Sequence, residues 1–433
     1  MNTEKKILQI LSEEIVPAEG CTEPIAIAYC ASLVSDLLGG LIPAEVRIFL
    51  SGNMIKNVKS VHIPGSGDRV GIGVAVAMGL ILGDSSRKLM VISGADQSRL
   101  DEVQQYASSG KISVHLQENC PKLYIRIEAR LEGHSAMVEI TDFHTHVSRM
   151  ERDGENVLES RDEGCAEKAA AVSESFTDRS FLNTEIICKF ADSIDLKKIE
   201  PLFSKVVEYN TAIAREGLSR AYGIAIGKTI REGIAEGVFG DDIKNNLSSF
   251  AAAGSDARMN GCPLPVMTTS GSGNQGMTCS LPVIEFCRIR GICRERMIRG
   301  LFVSHLITIH IKEEIGRLSA YCGAMAASAG VSGALVYLDS GSLAQINMAV
   351  ETTLATISGV ICDGAKSSCA TKIATGISTA VDAYYAAMKG RSLSYGDGIM
   401  GSDIESTINH VGTLGNDGMR QTDNVILDIM LQG

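Results

Sequence analysis

The sequence predicts an α+β protein, with an N-terminal mixed α/β region followed by a mainly helical C-terminal domain. Three observations carry this. At 433 residues the chain exceeds what one hydrophobic core normally organises, so two domains are the default. Strand-like stretches fall between Val46 and Thr141, and beyond about Ser193 helical spacing takes over. The expected division is therefore residues 1–192, carrying Cys21, and residues 193–433.

Taken in order, Glu4 to Ile15 sets Ile7, Leu8, Ile10, Leu11 and Ile15 at helical spacing, and Val16-Pro17-Ala18-Glu19-Gly20 ends it. Thr22-Glu23-Pro24 is a helix start, since proline suits the first helical position, and the apolar run Ile25 to Leu38 continues to Gly39-Gly40. Val46, Ile48 and Leu50 alternate as a strand that leads into Ser51 to Asn57, a polar, donor-rich turn. Pro64 to Arg69 forms another turn before an apolar helix from Val70 to Leu82. Leu89 to Ile92, Ile112 to Leu116, Leu123 to Leu131 and Ala136 to Thr141 read as strands, with a helix near Arg99 to Ala107.

Arg149 to Lys168 is charged and poor in large apolar residues, the composition of a surface connection. Helices follow over Leu196 to Tyr209, Ala212 to Glu236, Pro282 to Arg288, Arg296 to Ile315 and Asn347 to Ser358. Leu318 to Leu338, dominated by small residues, reads as a tightly packed core segment.

A formal charge of -11 argues against nucleic acid or an anionic membrane as partner, because phosphate neutralisation needs clustered Lys and Arg. A small-molecule substrate is expected instead. The uncharged runs are broken by Gly, Ser, Asn and Pro, so no membrane span is predicted. The twelve cysteines follow an N-terminus without a signal-peptide stretch, which fits a reducing, cytoplasmic compartment. There thiols stay free unless they ligate metal or do chemistry. Whether the chain forms a homo-oligomer is left open.

No CxxC pair occurs, which removes zinc ribbons and thioredoxin-like sites. Cys362 and Cys369 share a loop with Gly364, Ser367, Ser368, Lys366 and Lys372, whose donors and charges suit an anionic thiolate cluster. Cys322, beside Gly323, is the best third ligand. Buried structural thiols are the equal alternative from spacing alone. Packing is expected for Cys30, Cys188, Cys279, Cys287 and Cys293, and loop positions for Cys120, Cys165 and Cys262. His144 and His146 are read as surface or turn histidines rather than a metal site.

Cys21 differs because it borders a helix N-terminus, which favours the thiolate, while Glu19 and Glu23 oppose it. A thiol poised near neutral pH is expected, able to act as base or nucleophile. Gly271-Ser272-Gly273-Asn274-Gln275-Gly276 matches GxGxxG, yet no acidic residue closes a second strand about twenty positions on, so a nucleotide site is not predicted. Such turns bind carboxylates, or are simply tight turns.

Glu19-Gly20-Cys21-Thr22-Glu23-Pro24, Ser51-Gly52-Asn53-Met54-Ile55-Lys56-Asn57, Gly271 to Gly276 and Cys362-Asp363-Gly364-Ala365-Lys366 together resemble the L-cysteine desulfidase family, related to the α-chain of iron–sulfur L-serine dehydratases. The resemblance spans nearly the whole chain. It implies a [4Fe-4S] cluster held by Cys322, Cys362 and Cys369, Cys21 as proton acceptor, and elimination of hydrogen sulfide and ammonia from L-cysteine to give pyruvate without pyridoxal phosphate. Asn53, Ser66, Ser272, Asn274 and Lys366 are the candidates for gripping substrate or cluster. L-serine dehydration by the same mechanism is the alternative chemistry, and a non-catalytic iron–sulfur redox sensor is the alternative class.

Overall fold

The computed structural model describes residues 2–59, 61–158 and 177–432. Cys165 and the second half of the expected surface connection, residues 159–168, lie outside the described residues. Helix α1 (Thr3–Glu14) is capped by Asn2, whose side chain accepts from the Lys5 amide at 2.8 Å. A short strand β1 (Pro17–Glu19) follows, then α2 (Thr22–Leu37), which is buried on nearly every side as its continuous apolar composition requires. After β2 (Glu45–Leu50) the expected polar turn is instead a helix, α3 (Gly52–Val58). Ser51 caps it by accepting from the Met54 amide, and Met54, Ile55 and Val58 supply a buried face that the polar residues between them conceal in the sequence.

Helices α4 (Ile72–Leu82) and α5 (Leu100–Ala107) stand as expected. The strand expected over Leu89 to Ile92 does not form. A 3-10 turn over Ser85–Met90 takes its place, capped by Asp84, and it buries Leu89 while Val91 and Ile92 are buried in the turn that follows. Strands β3 (Ile112–Leu116), β4 (Tyr124–Leu131), β5 (His134–Thr141), β6 (Val147–Arg152) and β7 (Glu155–Asn156) complete a sheet ordered β3-β2-β4-β5-β6-β7. Among the described strands of this sheet only β2 and β3 run parallel. Ile127 sits opposite both Ile48 and Val138, so the inward residues of neighbouring strands meet. Helix α2 packs on β4 and β5 and against α4. β6 and β7 were hidden within the charged stretch, because a register shift near Glu139 leaves β6 only Val147 and Met150 buried.

The remainder is helical: α6 (Thr184–Ser193), α7 (Leu196–Ser219), α8 (Ile226–Ala235), α9 (Ile243–Met259), then strand β8 (Pro265–Met267) and α10 (Gly273–Arg290). After these come α11 (Arg294–Ile315), α12 (Gly323–Leu338), α13 (Leu343–Ile357), α14 (Cys369–Met388), α15 (Ile404–Thr413) and α16 (Arg420–Gln432). The small-residue segment ending at Leu338 is α12, which packs on α10, α11, α13 and α14. β8 pairs antiparallel with β1, joining the two regions just before Cys21. The α+β reading is therefore borne out.

Two large hydrophobic cores result. One joins the sheet to α2 and α4, and the other is helical. Ile7, Ile10 and Leu11 of α1, with Ile187 and Ala191 of α6, contribute to the helical core. We propose two domains divided near residue 192, with these elements crossing over. Among the described residues no helix is long and apolar enough to cross a membrane.

Candidate active site

Five helix N-termini converge between the cores, those of α2, α3, α10, α12 and α14, and the unpaired amides of each favour negative charge. Their meeting place is a cavity of about 90 Å³. Ligand pockets commonly run to roughly 300–1,000 Å³, so a space this small suits a compact polar molecule.

Cys322 caps α12 and Cys369 opens α14. Cys362 is brought to them by a short antiparallel bridge. The Cys322 amide donates to Val360 O at 3.1 Å, and the Cys362 amide donates to Ala320 O at 2.6 Å. All three cysteines line the cavity, and so does Cys21. Burial pushes the Cys322 thiol up to about 12, and the neighbouring Cys362 and Cys369 add to it. Cys369 is raised to about 11, again chiefly by burial.

Cations stand close by. Lys56 is fully buried and donates to Asp423 Oδ1 at 2.6 Å and to Cys362 O at 3.3 Å. Burial draws the Lys312 amine down to about 8, against the pull of Cys362 and Cys322. Lys372 pairs with Asp363 inside the cysteine loop. Gly364 adopts φ +97°, and a Cβ there would lie 2.5 Å from Lys56 O, so this loop reaches α3 only with glycine at that point.

The donor set is three soft sulfurs without a carboxylate or imidazole among them, backed by helix N-termini and amines. Such a set fits a thiolate-bound iron–sulfur cluster. Among the described residues no three His, Cys, Asp or Glu side chains converge closely enough for a single metal ion.

Cys21 caps α2 without using its side chain for the cap. Its thiol donates instead to Glu23 Oε2 at 2.9 Å. Burial, then the Glu23 charge, pushes this thiol well above its ordinary value, against the opposing pull of the Arg258 charge and of a hydrogen bond from the Glu23 backbone. The expectation of a thiol poised near neutral pH is thereby corrected, because its cap position lies 2 % exposed rather than open to water. Burial opposes ionisation of Glu23 too, but His144 and the Cys21 thiol outweigh it and hold the carboxyl down at about 2. Glu23 also accepts from Thr22 Oγ1 at 3.1 Å and from Asn57 Nδ2 at 3.0 Å.

Of the residues expected to grip substrate or cluster, Asn53, Ser272 and Asn274 line the cavity. Ser66 and Lys366 do not. Ser66 is fully buried in its own turn, where its hydroxyl accepts from the Arg69 amide and donates to Arg69 O. Lys366 is half-buried in the cysteine loop, and its carbonyl accepts from the Cys369 amide. Asn274 is largely spoken for, since Oδ1 accepts from Ser255 and Nδ2 reaches Met259 Sδ.

Glu23, Asn57, Arg258, Gln275 and Lys312 line the cavity without having been singled out as site residues. Glu23 and Asn57 lay within the quoted motifs, whereas Arg258 and Lys312 end long helices and carry no local signal. His144, read as a turn or surface residue, is buried with Nε2 3.9 Å from Glu23 Oε1. Cys30, Cys279 and Cys287 are buried and Cys188 packs against the helical core, as expected. Cys293 is exposed as the cap of α11, and Cys262, read as a loop thiol, is buried in the helical core.

Comparison with known proteins places the chain in a family. A family model described as serine dehydratase alpha chain matches residues 87–428. The chain is 50% identical over 426 residues to a UPF0597 protein of Fusobacterium nucleatum subsp. nucleatum, covering 98% of each chain. It is 43% identical over 427 residues to a UPF0597 protein of Lachnoclostridium phytofermentans, covering 99% of each. A UPF0597 protein of Treponema denticola is 41% identical over 430 residues, covering 99% of this chain and 98% of its own. The expected relationship to the dehydratase α-chain is borne out, and the desulfidase assignment is finer than these matches. On a family match of this extent, the chain belongs to the serine dehydratase alpha chain family.

Proposed function

We propose that this chain is a pyridoxal-phosphate-free lyase that converts L-cysteine to hydrogen sulfide, ammonia and pyruvate by α,β-elimination. The observation that carries the reading is that Cys322, Cys362 and Cys369 line the same small cavity as Cys21. Cys322, Cys362 and Cys369 would hold a [4Fe-4S] cluster, and the chemistry supplied there when it is bound is Lewis acidity that eases departure of the β-substituent.

The chain's own residues handle the protons. The Cys21 sulfur takes the Cα proton, and for this its own proton must first pass to Glu23, 2.9 Å away. Protonated Glu23 then returns that proton to the departing sulfide, so the pair ends as it began. Aminoacrylate released from the cavity tautomerises and hydrolyses to pyruvate and ammonia in water.

L-serine is the second reading, favoured by the description of the matching family. A thiol leaving group has a pKa of about 8.5 and water about 15.7, so sulfide departs with less assistance. Anaerobically prepared protein, assayed in parallel for sulfide from L-cysteine and pyruvate from L-serine, separates the two. Far more efficient turnover of serine sinks the desulfidase reading, and no keto acid from either amino acid leaves a non-catalytic iron–sulfur protein.

A further inference from the structure

Resting on that elimination reading, we propose that Arg258 and the N-terminus of α10 form the subsite for the substrate's α-carboxylate, with Asn57 Oδ1 receiving the α-ammonium.

Arg258 is 2 % exposed, and its Nε has no hydrogen-bond partner. No carboxylate forms an ion pair with it among the described residues, although it lines the cavity. Burying an uncompensated guanidinium is costly, and a bound anion is the direct remedy. The start of α10 lies against it. A Cβ on Gly273 would stand 2.4 Å from Arg258 Nε, so the helix begins on the guanidinium edge only because this residue is glycine. Ser272 takes up the Gln275 amide with its hydroxyl and the Gly276 amide with its carbonyl. The Gly273 and Asn274 amides are the first-turn donors that this cap leaves over.

The other cations of the cavity have their partners. Lys56 is paired with Asp423, Arg317 with Glu14, and Lys312 faces Cys322 and Cys362. Arg258 instead neighbours Cys21, whose side chain packs with Met259, the next residue along α9. A carboxylate on Arg258 therefore brings its α-carbon beside the Cys21 sulfur.

The opposite end of the zwitterion is also provided for. Asn57 Nδ2 donates to Glu23, which fixes the amide and leaves buried Oδ1 without a partner at the cavity wall. Gln275 Oε1, likewise buried and unpartnered, is a second acceptor there. An ammonium group satisfies both kinds of orphan that a carboxylate cannot.

The test is anaerobic calorimetry with L-alanine, which keeps both α-groups but has no leaving group. Against wild type, Arg258→Met should weaken L-alanine binding roughly 10- to 100-fold, the value of a charge-assisted hydrogen-bonded pair. Arg258→Lys should recover part of it, with iron content unchanged in both. L-alaninamide, whose carboxylate is neutralised, should bind wild type at least as poorly as L-alanine binds Arg258→Met, an arm that needs no variant to fold. Equal binding of L-alanine by Arg258→Met, or of alaninamide and alanine by wild type, overturns the subsite. Loss of iron from Arg258→Met with alanine affinity intact in the iron-bearing fraction overturns it in favour of a counter-charge for the cluster. If propionate binds in an Arg258-dependent manner and no amino acid does, the anion subsite stands and the elimination reading falls.

Discussion

The Cys21 thiol and the Glu23 carboxylate, two residues apart at the start of α2, share one proton across 2.9 Å. In the resting protein that proton belongs to sulfur, because burial and the Glu23 charge raise the thiol while the carboxyl is held down at about 2. Glu23→Gln removes the charge that favours the protonated thiol and leaves at most a neutral amide oxygen to accept from it. The pH midpoint for alkylation of Cys21 by iodoacetamide, followed by peptide mass in the iron-free protein, should fall by about one unit or more. Turnover should fall as well, since the variant has nowhere to send the thiol proton. An unmoved midpoint would show that Glu23 does not govern the thiol.

Gly364 sets the approach of the cysteine loop to α3. Alanine there meets Lys56 O at 2.5 Å and Asn57 Oδ1 at 3.3 Å in a backbone conformation of φ +97°. The loop must withdraw, at a cost of about 1–3 kcal/mol, and Cys362 withdraws with it. Gly364→Ala should lose iron on anaerobic purification while its helical circular dichroism stays that of wild type. Full iron occupancy in the variant would show that the approach of this loop to α3 does not govern iron binding.

The sequence made the helical half and the three cysteines readable for different reasons. Long periodic segments such as Arg294–Ile315 announce themselves by apolar spacing. Cys362 and Cys369 stand out because the residues around them suit a cluster, Cys322 joins them through its small-residue setting beside Gly323, and the family resemblance is what turns the three from buried thiols into cluster ligands. Arg258 was invisible, since a basic residue near a helix C-terminus has an ordinary explanation in the helix dipole, and only the packing of α10 against α9 shows that its charge is enclosed. The α3 helix was missed because Ser51-Gly52-Asn53 reads as turn chemistry, and the same serine is in fact a cap. His144 entered from a strand connection whose position depends on the sheet's register, which no local pattern encodes.

Lys56 and Asp423 form the tie that spans the most sequence in the site. The buried amine binds Asp423 Oδ1 and Cys362 O, while Asp423 Oδ2 accepts from the Ala320 amide at 3.0 Å. One ion pair therefore connects α3, α16 and two cysteine-bearing segments. Asp423→Asn strands the buried ammonium, a loss of roughly 3 kcal/mol, and loosens Ala320 to Cys322. Urea unfolding of the iron-free protein should show the loss, and the cluster should bleach faster in air. A change below about 1 kcal/mol would mean that the pair behaves as a surface salt bridge.

Asp256, two residues before Arg258, carries a pH dependence separate from the cavity. Its carboxyl is fully buried on α9, with Oδ2 accepting from the Gly227 amide at 2.8 Å and Oδ1 unpartnered. Burial raises it from 3.8 to about 7, although the Gly227 and Ile226 amides pull the other way. Because the folded value lies above the unfolded one, the native state holds its proton more tightly. The resulting stability is complete below about pH 4 and is lost as pH rises towards 7. Asp256→Asn keeps an acceptor for Gly227 and has no charge to bury, so it should escape that loss. The variant should gain on wild type by roughly 2–4 kcal/mol between pH 4 and pH 8, read from urea midpoints at both ends. Parallel pH profiles for the two proteins would place the carboxylate in contact with water and remove burial as the cause.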